Sequence, residues 1–332
     1  MKRAFFNVAA RAAPLLLGTR AQQRLSILIY HRVLPKRDPM RPGEPTVEEF
    51  DWQMRLLSRY FSPLSLVDAV ERLQAGSLPD NAICITFDDG YGDNERYAMP
   101  VLQKYSIPAT VFISTAFLNG GRMWNDSIIE ILRNFTGSNL DLREMGLDQY
   151  QVESQTQRVA AVEDIIHKIK HLDPDVRAAL VAEIETHVEC LPNNLMLSDE
   201  QILNLARNNV TIGAHTVNHP ILSSITMESA RSEIQGSKDY LESLLQQSVE
   251  VFAYPNGRPD LDYGSEHREL VKELGFKAAV STHWGVSTRH SDRLQLPRFT
   301  PWDKHEWKFA LRLFASYRWV DPLPGGKTSV AR

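Results

Sequence analysis

Cysteine is scarce. The 332 residues hold two, Cys84 and Cys190, too few for a disulfide framework and without the paired spacing of a zinc ribbon. A basic excess is also missing: 37 Lys and Arg stand against 41 Asp and Glu, a net charge of −4, so nothing in the composition marks a nucleic-acid partner. No GxGxxG or P-loop follows any apolar run, which removes the usual grounds for a nucleotide partner. Beyond the N-terminus, no stretch is apolar for long enough to span a bilayer. Repeats and low-complexity tracts are absent.

What remains is ordinary globular material, 43% hydrophobic and 23% charged, in a length that suits one large α/β domain or two small ones. The first 24 residues, MKRAFFNVAARAAPLLLGTRAQQR, begin like a signal peptide. Arg11 interrupts the apolar stretch, however, and no small-x-small cleavage site follows. They read as an uncleaved amphipathic segment able to touch a membrane peripherally. The expected location is cytoplasmic or membrane-peripheral, with export as the alternative. The tail, 319–332, ends in PLPGGKTSVAR and is expected to be disordered.

Between these ends, short apolar runs alternate with longer amphipathic ones. Candidate strands are 26–30, 83–87, 109–114, 210–214, 249–254, 276–281 and 294–299. Most are continuously apolar, as strands buried on both faces are, and Cys84 in ICITF reads as a buried thiol. Thr46 followed by Glu49 predicts a capping box opening a helix through Tyr60, and Ser65 and Gly76 bracket the next. Further helices are predicted over 198–207, 226–245 and 265–274. This alternation predicts an α/β fold, a distorted (β/α) barrel of about seven strands, with a doubly wound open sheet as the alternative. Residues 119–197 break the rhythm and are expected to form a helical insertion within a domain spanning 25–318.

Strand exits in such a barrel collect the active site. Here they carry His31 and Arg32, Asp88 and Asp89, His215, Tyr254 before Pro255, and Arg298. The segment HTVNH sets His215 and His219 four apart, and Asp88 or Asp89 offers a carboxylate. Two imidazoles and one carboxylate make a three-ligand metal site with positions left open. The second aspartate is then free to act as general base, and Gly90 lets the chain leave the strand so that both acids face one pocket. Pro220 disfavours helical geometry at His219, so HTVNH is expected to be a turn. A metal-independent glycosidase using the Asp pair and a non-catalytic carbohydrate-binding protein are the rival readings.

TFDDG (86–90), HTVNH (215–219) and FAYPNG (252–257), in this order, resemble the three motifs of the polysaccharide deacetylase family, the NodB-homology domain of carbohydrate esterase family 4. The resemblance spans roughly residues 25–300 and implies a distorted (β/α) barrel. It implies Asp88 as catalytic base, Asp89, His215 and His219 as ligands of zinc or a similar divalent ion, and an acetylated glycan, usually one containing N-acetylglucosamine, as substrate. Two features depart from the family. An arginine often found in the third motif is replaced by Phe252 and Ala253, and Arg298 is the candidate to orient the base, a structural salt bridge being the other reading. The late Leu-x-His that supplies a general acid has no match among His283, His290 and His305. His31, in ILIYHRV, is the preferred substitute, packing at the barrel mouth being its alternative. That segment resembles the opening of the poly-N-acetylglucosamine deacetylase subgroup. Tyr91 is a candidate to offer its backbone N–H to an oxyanion, and Trp124, Trp284, Tyr254 and Pro255 are candidate substrate contacts. Trp302 also follows a strand exit.

Overall fold

The structure, a computed structural model, describes residues 23–301 and 303–317. Nearly all of the N-terminal segment, Trp302 and the tail lie outside the described residues. The strands are β1 (Leu25–Tyr30), β2 (Ser62–Pro63), β3 (Ala82–Phe87), β4 (Ala109–Ile113), β5 (Asn139–Asp141), β6 (Gln149–Gln151), β7 (Val210–Ala214), β8 (Val251–Ala253) and β9 (Ala278–Val280). The α-helices are α1 (Val47–Tyr60), α2 (Leu66–Ala75), α3 (Met99–Lys104), α4 (Trp124–Asn134), α5 (Gln155–Ile169), α6 (Pro174–Glu185), α7 (Asp199–Arg207), α8 (Met227–Leu245), α9 (Ser265–Glu273) and α10 (Glu306–Ser316).

Local chemistry sets several of these boundaries. Thr46 accepts the Glu49 N–H while the Glu49 carboxylate accepts the Thr46 N–H at 2.9 Å, so both arms of the predicted capping box are present. Ser65 caps α2, and Gly76, at φ 69°, ends it in the left-handed conformation.

The main sheet runs β1-β3-β4-β7-β8-β9, all neighbours parallel, with β2 attached to β3. The order never reverses, which excludes the doubly wound alternative. Residues 294–299 close the circuit. Leu296 donates to Ala279 at 2.8 Å on one side, and Phe299 donates to Ile27 at 2.8 Å on the other. This seventh stave was expected as a full strand. It forms only isolated bridges, because Pro297 in its middle has no N–H to donate.

The period-2 alternation of the strands divides their side chains between two cores. Leu28, Tyr30, Ile83, Ile85 and Phe87 join the larger cluster shared with the helices. Ile27, Cys84, Phe112, Val251, Val280 and Leu296 form the second, drawn from around the barrel. Strand β7 gives Gly213 instead, and Phe112 packs so closely over it that an added Cβ would meet the ring at 2.4 Å.

The insertion begins after β4. Helices α4, α5 and α6 surround an apolar cluster of their own that includes Ile128, Ile131, Leu132, Ile165 and Ile184. Between α4 and α5 it also holds an antiparallel pair, β5 with β6, within what was expected to be a helical insertion. Among the described residues, no helix is long and apolar enough to cross a membrane.

Candidate active site

Strand β3 delivers two carboxylates to one place. The Asp88 N–H still pairs with the Tyr30 carbonyl at 2.9 Å, so Asp88 continues the ladder. The next two residues are both left-handed, Asp89 at φ 75° and Gly90 at φ 86°. Asp89 therefore shares in the turn that the sequence reading assigned to Gly90 alone, at a conformational cost on the order of 1 kcal/mol. A Cβ at Gly90 would also come within 3.1 Å of Ile113.

The HTVNH segment leaves β7 as a turn, as Pro220 implied, with Thr216 at φ 66° and His219 at φ 53°. The Thr216 hydroxyl accepts the His219 N–H at 3.1 Å. Glu233, on α8, accepts the Val217 and Asn218 N–H groups at 2.9 and 2.8 Å and the Asn218 amide at 2.8 Å. This clamp was not foreseen in the sequence.

The result is a converging donor set. Asp89 Oδ1 lies 3.5 Å from Nε2 of both His215 and His219, and the three potential ligand atoms are all within 4.8 Å of one another. His215 Nδ1 lies 2.7 Å from the Ala253 carbonyl, which assigns its proton there and leaves the Nε2 lone pair facing Asp89. Burial brings the His219 pKa down to about 4 despite the attraction of Asp89, so its ring is neutral. Burial would raise the Asp89 pKa, but the two histidines beside it outweigh burial and hold the carboxyl well below the usual range. Two imidazoles and a carboxylate fit a divalent cation and leave coordination positions open.

Asp88 stands apart from this set and is held by Arg298. The guanidinium, fully buried, donates to both carboxylate oxygens at 2.7 and 2.6 Å, to the Thr86 hydroxyl at 3.2 Å and to the Ser281 carbonyl at 2.8 Å. Burial would raise the Asp88 pKa, but the charge and hydrogen bonds of Arg298 outweigh it and keep the carboxyl ionised. The stave that closes the barrel thus supplies the arginine that the third motif lacks.

His31 is half-buried at the β1 exit, its carbonyl fixed by Asn94 at 2.9 Å. Burial disfavours its cation, yet Asp89, Asp88 and Glu44 together leave its pKa raised. Tyr91 sits in a bridge with Met196 whose hydrogen bonds run from Gly92 N and Leu197 N, so the Tyr91 N–H is not consumed by that pairing. Asp88, Asp89, His31, Tyr91, His215, His219 and Trp124 all line one cavity of about 450 Å³.

Three expected substrate contacts lie elsewhere. Tyr254 is buried, stacked on Tyr263 at 3.7 Å, with its hydroxyl donating to Leu294 O at 2.9 Å. Pro255 is also buried away from the cavity; from FAYPNG it is Asn256 that lines it. Trp284 packs on the core with its ring 4.9 Å from Phe299. Past a strand end the loop conformation decides where each side chain points, so not every exit residue faces the mouth. Conversely, Arg41, Glu44, Lys170 and Arg177 line the cavity and were not singled out. They come from loops and the insertion, where no strand-exit pattern marks them.

Comparison with known proteins bears on this arrangement. The family model described as polysaccharide deacetylase matches residues 75–279. The Bacillus subtilis (strain 168) protein YxkH, named provisionally as a polysaccharide deacetylase, is 23% identical over 284 residues, 85% of this chain and 73% of its own length. Among solved structures, the Streptococcus pyogenes deacetylase PplD in complex with acetate superposes with a TM-score of 0.59 at 21% identity, covering 88% of this chain and 98% of that one. IcaB from Ammonifex degensii gives 0.57 at 18% identity, covering 88% and 97%.

Proposed function

The chain belongs to the polysaccharide deacetylase family and is a deacetylase enzyme, and from that premise we propose that it is a metal-dependent hydrolase of N-acetyl groups on N-acetylglucosamine units of a glycan. The observation that carries this reading is the separation of roles at one cavity: a convergent Asp89, His215 and His219, and beside them an ionised Asp88 outside the donor set. A divalent cation held by the three, which we take to be Zn²⁺, would polarise the acetamide carbonyl and lower the pKa of water.

The chain's own residues supply the rest. Asp88 accepts the proton of the attacking water, and Arg298 fixes both of its oxygens so that it stays ionised and aimed. Arg298 is a positioning residue in this scheme. The Tyr91 N–H donates to the developing oxyanion. His31, made more basic by the carboxylates around it, protonates the departing amine. The N-acetylglucosamine assignment rests on the motif resemblance, ILIYHRV included.

A glycosidase working through the Asp pair would need one carboxyl with a raised pKa to act as acid. Both Asp88 and Asp89 are shifted the other way. Acetate release from N-acetylglucosamine oligosaccharides, before and after chelation, tests the proposal. Release that stops with EDTA and returns with Zn²⁺ is expected, and release indifferent to chelation would overturn it.

A further inference from the structure

The chemistry above leaves the cations that line the cavity without a task. Four cations line the cavity: Arg32, Arg41, Lys170 and Arg177. Two are neutralised in place, Arg32 by Asp93 at 2.7 Å and Arg41 by Asp126 and Glu130. Lys170 and Arg177, from the insertion, have no carboxylate within 4.0 Å among the described residues. Arg177 is only 5% exposed. It donates to the Lys170 carbonyl at 3.1 Å and lies 4.7 Å over the Trp124 ring. Asp173, whose field it feels, already accepts the N–H groups of Asp175 and Val176 at the start of α6.

A buried guanidinium without a counter-charge is costly, and a neutral glycan would leave that cost in place. A carboxylate or phosphate would match its donor fork and draw in Lys170. Lys170 and Arg177 share this cavity with Asp88, Asp89, His215 and His219, so a substrate that presents its acetamide to that group and an anion to the basic pair engages both.

We infer that Lys170, Arg177 and Trp124 form an anion subsite and that the preferred substrate carries a carboxylate or phosphate beside the acetamido sugar. This rests on the deacetylase reading. The test compares kcat/KM for acetate release by the Zn²⁺-loaded full chain on three oligosaccharides of equal length: neutral N-acetylglucosamine, the same sugar alternating with a uronic acid, and the same sugar beside a phosphorylated residue. At least one acidic substrate is expected to be preferred by roughly 10- to 100-fold, less so in high salt, and the better of the two identifies the anion. Lys170→Gln, at a half-buried site, and Arg177→Gln should bring the acidic-to-neutral ratio toward one, mainly through KM, while Arg177→Lys keeps part of it. Equal use of all three by the wild type would overturn the inference and leave the deacetylase reading standing. So would a Lys170→Gln and an Arg177→Gln protein that lose activity on all three in the same proportion, since Arg177 would then merely tie α5 to α6. Failure of the wild type to release acetate from any of them would remove the deacetylase reading, and this inference with it.

Discussion

Replacing Arg298 by Met separates the orientation of the base from the stability of the barrel. The wild-type guanidinium supplies the two largest influences that lower the Asp88 pKa, its charge and its pair of hydrogen bonds, against burial, which raises it. Without them, burial dominates and the Asp88 pKa should climb. If Asp88 is the base, the acid limb of kcat/KM against pH moves up by the same amount. One unit below its new position, the variant should retain about a tenth of its plateau rate. Removing one partner of a buried pair also destabilises, by about 3–5 kcal/mol. The sign of its pH dependence follows from the depressed native pKa. The stability due to Asp88 ionisation is present above the unfolded value near ~4 and is lost as pH falls through the native one. The Tm gap between wild type and variant should therefore be full above the variant's raised Asp88 pKa and narrow as pH falls through that value toward the native one. Thermal melts and pH–rate profiles of the two proteins provide the assay. A variant that melts lower but keeps the wild-type acid limb would reduce Arg298 to a structural salt bridge and refute the reasoning.

Two further perturbations test the supports of the site. His31→Ala should keep its metal, lose about 10²–10⁴ in kcat and lose the alkaline limb of the pH profile, because a proton donor with a raised pKa is inactivated as pH rises past that pKa; metal analysis and the pH profile check this. Glu233→Ala releases the three N–H groups that hold the loop of His219, and should weaken metal binding about 10–100-fold with little change in Tm, as a competitive chelator titration would read.

The barrel and the convergence of Asp89, His215 and His219 were legible for a physical reason: continuous apolar runs end abruptly in His and Asp, and those ends meet at one rim of a parallel sheet. Caps such as Thr46 with Glu49 were legible because both hydrogen bonds lie within four residues. What escaped notice depended on distance in the chain. Glu233 clamps a loop 15 residues away, and Arg177 meets Trp124 only because the insertion folds on its own core. The β5–β6 pair was hidden because each strand has three residues with only its middle one buried, too short for alternation to show. Tyr254 misled for the opposite reason: an aromatic phenol just past a strand looks like a substrate contact, but here its hydroxyl is satisfied inside the core by Leu294.

The central claim is that Asp89, His215 and His219 hold the cation while Asp88 stays free to move a proton. Metal stoichiometry and acetate release measured on the same preparation of Asp88→Asn address it most directly. The account predicts one equivalent of divalent metal, as in the wild type, with turnover reduced at least ~10²-fold. An Asp88→Asn protein that releases acetate at the wild-type rate, or that has lost its metal, would contradict it.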